Sequence, residues 1–447
     1  MALTRGLAQS FGARGAWGGR LWSSSSSPPC RLVRDHVADV LAHPSDGYFS
    51  SRPHVVGKVE EPLSFKTMIG KSGYDYKVRD LYRARGTSWL TPAEIFQPYY
   101  GQAVARYLVQ DLLERGEQEL RVCEIGGGNG TLAANVLDYV RSRHPDLYER
   151  TKYTVVDVSK ALCERQELLV AGHDELHSSR FTTVAGDAAD GGVWRGLVRE
   201  REGHVYVLGT EILDNLPHDR VEKVGGEWME TWIRYDDDDS PNGREELRPL
   251  RDRSIGRCLE AFDWVGAREG AGSEAEDAGF LSSLENFLLS GSAGPEGSRG
   301  EDDDEVVFLP TAAVSILESL SIEIPDHTLV LIDFDSLPDV QLRGRNAPLV
   351  SNTEMAEARD ASTYLVPVGS HDIFFPTNFS ALRALYSGIM TSEAGTPGRV
   401  SAATRPSSEF FKEFADLQMT TTMSGYNPLI EDFRNTQVFV GQRTTKQ

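Results

Sequence analysis

The sequence predicts a doubly wound α/β domain built on a mostly parallel sheet. Three observations carry this. Short β-branched or aromatic runs recur at RVCEI (121–125), YTVVDV (153–158), FTTVAGD (181–187) and HVYVLGT (204–210). Between the first three lie TLAANVLDYVRSRH and SKALCERQELLVAG, whose apolar residues fall at three-to-four spacing, the period of a helix face. A glycine-rich stretch, VCEIGGGNGTL (122–132), joins the first run to the first helical segment. Strands alternating with helices imply βαβ units and a parallel sheet.

The later elements follow in order. VEKVGGEWMETWIRY (221–235) sets Gly225-Gly226 between two strand-like runs, a hairpin signal. TAAVSILESL (311–320) reads as a helix and TLVLIDF (328–334) as another buried strand. YNPLIEDFRNTQVFVG supplies a final strand to close the sheet. No internal repeat is present.

Composition bounds the class. The chain has 447 residues, 40% hydrophobic and 25% charged, which suits a globular protein with a sizeable core. No run approaches the roughly 18–20 apolar residues that span a bilayer, so no transmembrane helix is expected. A net charge of -21 argues against nucleic-acid binding, which rests on neutralising phosphates with Lys and Arg. Four cysteines (Cys30, Cys123, Cys163, Cys258) show no C-x-x-C spacing and read as free thiols, with no metal site expected. Residues 1–34 are basic, Ser-rich and free of acids, the composition of an organellar transit peptide; a merely disordered basic tail is the alternative. Acidic, Gly- and Ser-rich stretches near 236–246 and over 266–305 read as loop insertions.

The glycine loop narrows the cofactor. A triphosphate loop needs Lys and Ser/Thr after its last glycine, whereas Thr131-Leu132 follow Gly130. The dinucleotide pattern G-x-G-x-x-G begun at Gly126 needs glycine where Thr131 stands. The loop reads instead E-x-G-x-G-x-G, through Glu124, Gly126, Gly128 and Gly130. An acid beside the loop repels a pyrophosphate but accepts hydrogen bonds from a cationic ligand. S-adenosyl-L-methionine meets these demands, having no phosphate, a sulfonium and an ammonium. Asp157, ending the second strand, is placed to take ribose hydroxyls, and Asp187, ending the third, the adenine amino group. Singly, such an acid is commonly a helix cap or turn residue; three at successive strand ends form a pattern.

EIGGGNGTL, VVDVSKALCERQ and TEILDNLP, in this order, resemble the MidA-like S-adenosylmethionine-dependent methyltransferases. HPSDGYF (43–49), TSWLTPAEIFQPYYGQAVARYL (87–108), LVLIDF (329–334) and GSHDIFFPTNFSAL (369–382) extend the likeness over some 390 residues. The family loop usually reads G-P-G-R-G; Gly127 and Asn129 stand here for its Pro and Arg. The resemblance implies the class I methyltransferase fold, with a helical cap segment over 35–115 and the methyltransferase domain over 116–445. Mitochondrial members are protein arginine methyltransferases that assist assembly of respiratory complex I. The implied activity is therefore N-omega dimethylation of arginine in a complex I subunit, in the mitochondrial matrix.

TEILDNLP follows the fourth strand-like run, whose carboxyl end faces the ligand crevice of such a sheet. Glu211 and Asp214 are three apart, so a helical turn would set both carboxylates on one face. Such a pair can grip a guanidinium by charge-assisted hydrogen bonds and take its proton as the methyl arrives. The alternative is that Asp214 caps a following helix and Asn215-Leu216-Pro217 is a turn. His218 and His371 show no partner pattern and read as ordinary histidines. Two other functions compete: a non-catalytic assembly factor that keeps the fold, and a nucleotide-dependent reductase disfavoured by Thr131.

Overall fold

A computed structural model describes residues 30–51, 56–85, 90–197, 203–235, 241–271, 305–352, 359–392 and 398–445. Its central sheet has seven strands. In spatial order they are Arg399–Pro406 (β14), Thr436–Thr444 (β15), His327–Phe334 (β10), Val205–Thr210 (β5), Leu120–Ile125 (β2), Thr151–Asp157 (β3) and Phe181–Ala185 (β4). The five from β10 to β4 run parallel, and β15 and β14 add antiparallel at one edge.

The inner strands are apolar throughout because both faces are covered. Alternate residues of each strand feed two separate cores. Val122, Leu208, Val330 and Ile332 pack on one face with Tyr100, Val104, Leu108 and Leu137. Cys123, Ile125, Val207, Leu329 and Leu331 pack on the other with Trp194, Leu317, Leu320 and Leu385. The helices supplying these residues, Tyr99–Glu114 and Thr131–Arg143 on one side and Gly191–Leu197, Thr311–Glu323 and Phe379–Ser392 on the other, make the sheet doubly wound. Strand order reverses between β2 and β5, so a crevice opens there at the carboxyl ends of the strands.

The predicted hairpin is present. Asp219–Val224 (β6) and Glu227–Arg234 (β7) pair antiparallel around Gly225 and Gly226, both at positive φ (60° and 85°), as a tight twisted turn demands. Cys30–Leu32 (β1), Arg244–Pro249 (β8) and Val306–Leu309 (β9) complete a second sheet with this hairpin. Leu349–Asn352 (β11), Arg359–Asp360 (β12) and Asp372–Phe374 (β13) form a third. Periodicity gave no sign of either sheet beyond the hairpin.

Two expected boundaries need correction. The leader was expected to run to residue 34, yet Cys30–Leu32 pairs with β7, and Val33 is wholly buried at the start of helix Val33–Ala42 (α1). Arg34 bonds Asp219 at 2.7 Å and Asp252 at 2.5 Å, and Thr311 also donates to Asp219. The reason is that this arginine neutralises a carboxylate the second sheet fully buries, so the basic run belongs partly to the fold. The insertions are likewise shorter than expected: β8 begins at Arg244, and helix Arg253–Ala271 continues past residue 266. Residues 1–29, 236–240 and 272–304, where the other leader and insertion expectations fall, lie outside the described residues. Among the described residues no helix is long and apolar enough to cross a membrane.

Replacing Arg34 by Met should leave Asp219 buried without its cation. Denaturant unfolding should show a loss of ~3–5 kcal/mol, the usual consequence of breaking a buried pair from one side.

Candidate functional site

The glycine loop turns the chain from β2 into helix Thr131–Arg143 at the switch point. Gly130, the residue before that helix, has φ 91°, and a Cβ there would stand 3.1 Å from Gln166 Cα. Gly126 has φ 69°, and its Cβ would meet Ile212 Cγ2 at 2.8 Å. Glycine is thus required at both places, by backbone conformation and by close approach.

The loop is pinned from two sides. Asn129 is buried; its Nδ2 donates to Gly57 O and to Glu94 Oε1, both at 3.0 Å, and its Oδ1 accepts from Arg165 Nη1 at 3.2 Å. Thr131 Oγ1 donates to the same Glu94 oxygen at 2.5 Å, while Glu94 Oε2 accepts Val59 N at 2.9 Å. Glu94 sits in a one-turn helix, Pro92–Ile95, capped by Thr91. From the other side Gln166 Nε2 donates to Gly128 O (3.1 Å) and to Asp157 Oδ2 (2.9 Å). The asparagine in place of the family's arginine is therefore a structural clamp, and Arg165 still brings a guanidinium to the loop.

Five of the six acids and glycines expected at the cofactor end, Glu124, Gly126, Gly128, Asp157 and Asp187, line one cleft of about 1750 Å³; Gly130 does not, its Cα facing Gln166 behind the loop. The Glu124 carboxylate is buried and accepts Tyr153 OH at 2.8 Å; burial pushes it up to about 8 despite that donor, and Asp157 adds to the rise. Asp157 accepts Ser159 N and the Gln166 amide, each at 2.9 Å, and burial still raises it to about 6. Its carboxylate is more occupied within the protein than a pure ribose acceptor requires. Asp187 stands two residues beyond β4 rather than at its end, because Gly186 N closes onto Asp157 O. Its Oδ1 accepts Ala189 N at 2.8 Å, its Oδ2 is buried with no partner, and burial raises it to about 7.

Glu211 and Asp214 also line the cleft, but not through a helical turn. Glu211 is left-handed at φ 53°, and the chain after Asp214 enters β6 rather than a helix that it could cap. What brings the two together is Asp333, at the carboxyl end of β10. Its Oδ2 accepts Leu213 N at 2.7 Å and Asp214 N at 3.4 Å, and Glu211 N donates to Ile332 O at 2.9 Å. Asp214 Oδ1 is buried and unpartnered. Burial, then Asp333, holds Glu211 well above the usual carboxylate range; Asp214 rises for the same two reasons, with Glu211 and Asp372 adding. Asn215 Nδ2 donates to Asp372 Oδ1 at 2.9 Å, which brings β13 to the same edge.

Sequence reading missed Asp333 and the clamp role of Glu94. Asp333 did carry a signal, being an acid at the end of another buried apolar run. Tyr153 and Gln166 carried none. The two histidines are ordinary: His218 stacks on Phe375 with ring centroids 4.0 Å apart, and His371 Nδ1 lies 2.7 Å from Ser370 Oγ. No group of His, Cys, Asp and Glu suited to a metal ion occurs among the described residues.

A family model described as "Putative S-adenosyl-L-methionine-dependent methyltransferase" matches residues 103–395. The "Protein arginine methyltransferase NDUFAF7 homolog, mitochondrial" of Drosophila melanogaster is 28% identical over 171 residues, 36% of this chain and 38% of its own length. The protein of the same name from Schizosaccharomyces pombe is 23% identical over 261 residues, 57% of this chain and 52% of its own length. The chain thus spans about half or less of the curated relatives it matches. A Burkholderia thailandensis protein crystallised with S-adenosyl-homocysteine shares the fold, with TM-score 0.58 and 18% identity over 94% of this chain and 89% of that one. A native crystal structure from the same organism gives TM-score 0.53 and 17% identity, with the same coverage.

Every carboxyl of this cleft named above as shifted holds its proton to higher pH in the folded than in the unfolded chain. Their contribution to stability is complete below the unfolded value of about 4 and is lost as pH rises through the folded values. The melting temperature of ligand-free protein should therefore fall between pH 6 and 8.5, and a cationic ligand should restore more of it at the upper end.

Proposed function

Because the chain belongs to the family of S-adenosyl-L-methionine-dependent methyltransferases, we propose that it methylates arginine in a protein substrate, with Glu211 and Asp214 as its guanidinium partners. The cofactor fits this cleft on its own chemistry. Asp187 Oδ2 is a buried acceptor without a donor, Glu124 and Asp157 offer further acceptors, and the bare backbone at Gly126 and Gly128 lets a ligand approach closely. The helix that starts at Thr131 has no side-chain cap, so its N-terminus suits the ligand's carboxylate. Phosphate does not fit: the cleft is lined by carboxylates, and its Arg31 is already paired with Asp39.

When bound, S-adenosylmethionine supplies an electrophilic methyl group on a sulfonium. The residues of this chain have the other tasks. Glu124, Gly126, Gly128, Asp157 and Asp187 hold and orient the donor. Glu211 and Asp214 take an arginine side chain that is cationic and has five N–H donors but no free lone pair. Two carboxylates at one end of the guanidinium localise its charge and hold the reacting nitrogen in line. As that nitrogen gains a methyl it must lose a proton, and one of the pair accepts it. The buried, unpartnered Asp214 Oδ1, beside Glu211 and with no cation in ion-pair reach among the described residues, is the observation that carries this reading.

The acceptor we propose is a subunit of respiratory complex I, modified to N-omega-dimethylarginine in the mitochondrial matrix. The family resemblance and the basic leader support it, together with the names of the two curated relatives. The cap segment over 35–115 would form a wall of the cleft, and 116–445 the transferase domain. That wall contributes Asp35, Asp39, Leu90 and Glu94.

Purified protein with S-adenosylmethionine should add methyl groups to arginine in that subunit, read by mass spectrometry. Asp214→Asn should lower the rate by roughly 10²–10⁴-fold, the usual loss with a general base. Cofactor affinity by isothermal titration should stay nearly unchanged. Full transfer in the variant removes Asp214 from the reaction, and no cofactor binding by the wild type turns the reading toward a non-catalytic assembly factor.

A further inference from the structure

We infer that Asp333 is a positioning residue of the acceptor site: its buried carboxylate holds the 211–214 turn by backbone hydrogen bonds and stands directly behind Glu211 and Asp214. The inference rests on the reading of that pair as guanidinium partners.

The geometry makes β10 the template for the turn. Asp333 is wholly buried and accepts Leu213 N and Asp214 N through one oxygen and Phe334 N, at 2.7 Å, through the other. One residue earlier, Ile332 O receives Glu211 N. Both ends of the turn are thus tied to two consecutive residues of a neighbouring parallel strand. Glu211 occupies a backbone region that non-glycine residues avoid, and such a conformation persists only where surrounding bonds over-determine it. Without these ties Glu211 would relax toward an ordinary conformation and its carboxylate would leave the cleft edge.

The charge matters as well as the bonds. Burial pushes Asp333 upward too, but the N–H groups of Phe334, Leu213, Asp214 and Ile212 pull it back, because they stabilise the anion. Asp214 has only the Asn215 N–H acting that way, and no such donor offsets Glu211. Asp333 is raised to about 7 and its two neighbours further, so of the three carboxylates it ionises first, and its charge then makes Glu211 and Asp214 hold their protons. The other titratable groups facing them are Tyr82 and Tyr100 from the cap helices and Asp372 from β13. Among the described residues no cation lies within ion-pair reach of Glu211, Asp214 or Asp333. An entering guanidinium then displaces a proton from the pair. The base it meets is stronger than an ordinary carboxylate, and general bases work best when their proton affinity matches neutral pH.

The test is the pH profile of kcat/KM for methyl transfer to a synthetic arginine peptide, in the wild type and in Asp333→Asn. Removing the charge lets Asp214 lose its proton more readily, so the acid limb should move down by about one pH unit. A residue that only shaped the turn would lower the rate equally at every pH, so an unmoved midpoint overturns the inference. Should the variant not fold, the wild type can be titrated by carboxyl ¹³C NMR with S-adenosyl-homocysteine filling the cofactor end. A signal titrating above pH 6 should move down when the peptide is added, and should be missing in Asp214→Asn. Absence of that signal in the wild type also overturns the inference. A wild type that shows the signal but methylates no arginine peptide counts against the acceptor reading and leaves the charge arrangement standing.

Discussion

Carboxylates gathered at the carboxyl ends of neighbouring parallel strands, with no cation among the described residues set between them, are the constraint on which this protein turns. β2 contributes Glu124, β3 Asp157, β10 Asp333, and the segment after β5 Glu211 and Asp214. Burying even one ionised carboxylate without a partner is strongly unfavourable. The fold tolerates several by giving each a different relief. Tyr153 donates to Glu124, Gln166 and Ser159 to Asp157, and backbone N–H groups to Asp333. Glu211 and Asp214 have least, and a proton or a cationic ligand must supply what they lack.

The same constraint explains why the cleft discriminates so sharply by charge. A parallel sheet places all its strand ends on one edge, so acids there act together rather than singly. A sulfonium with an ammonium is drawn in by the field that excludes a pyrophosphate, and the proposed guanidinium acceptor would be drawn in by the same field. The donor and acceptor ends differ in how much of that field is already compensated. At the donor end hydrogen bonds from Tyr153, Gln166 and Ser159 leave shaped acceptors. At the proposed acceptor end Asp333, tied by backbone N–H groups, lies behind two acids that have far less such relief.

Much of this was legible in the chain. The strand-helix alternation and the E-x-G-x-G-x-G loop are local patterns, and the acids at 124, 157, 187, 211 and 214 all reach one cleft, as their positions after apolar runs imply. The manner of assembly was not legible. Three-residue spacing suggested a helical turn for Glu211 and Asp214, whereas a carboxylate 120 positions away bonds Leu213 and sets their geometry. Glu94 meets Thr131 across 37 positions, and Arg34 meets Asp219 across 185. Periodicity reports which face of an element is apolar, but it carries no information about which distant polar group will satisfy a buried one. The short strands of the second and third sheets escaped for a related reason. Their pattern is only half-buried, and partners far along the chain decide it.

Glu94 joins the cradle to the front of the chain through a single carboxylate that serves Val59, Asn129 and Thr131 at once. Grafting a foreign front segment onto this sheet would strand two donors in the interior, on Asn129 and Thr131, unless those positions were exchanged with it. The front wall of the cleft and the glycine turn behind it are thereby coupled in inheritance: the two have to change together.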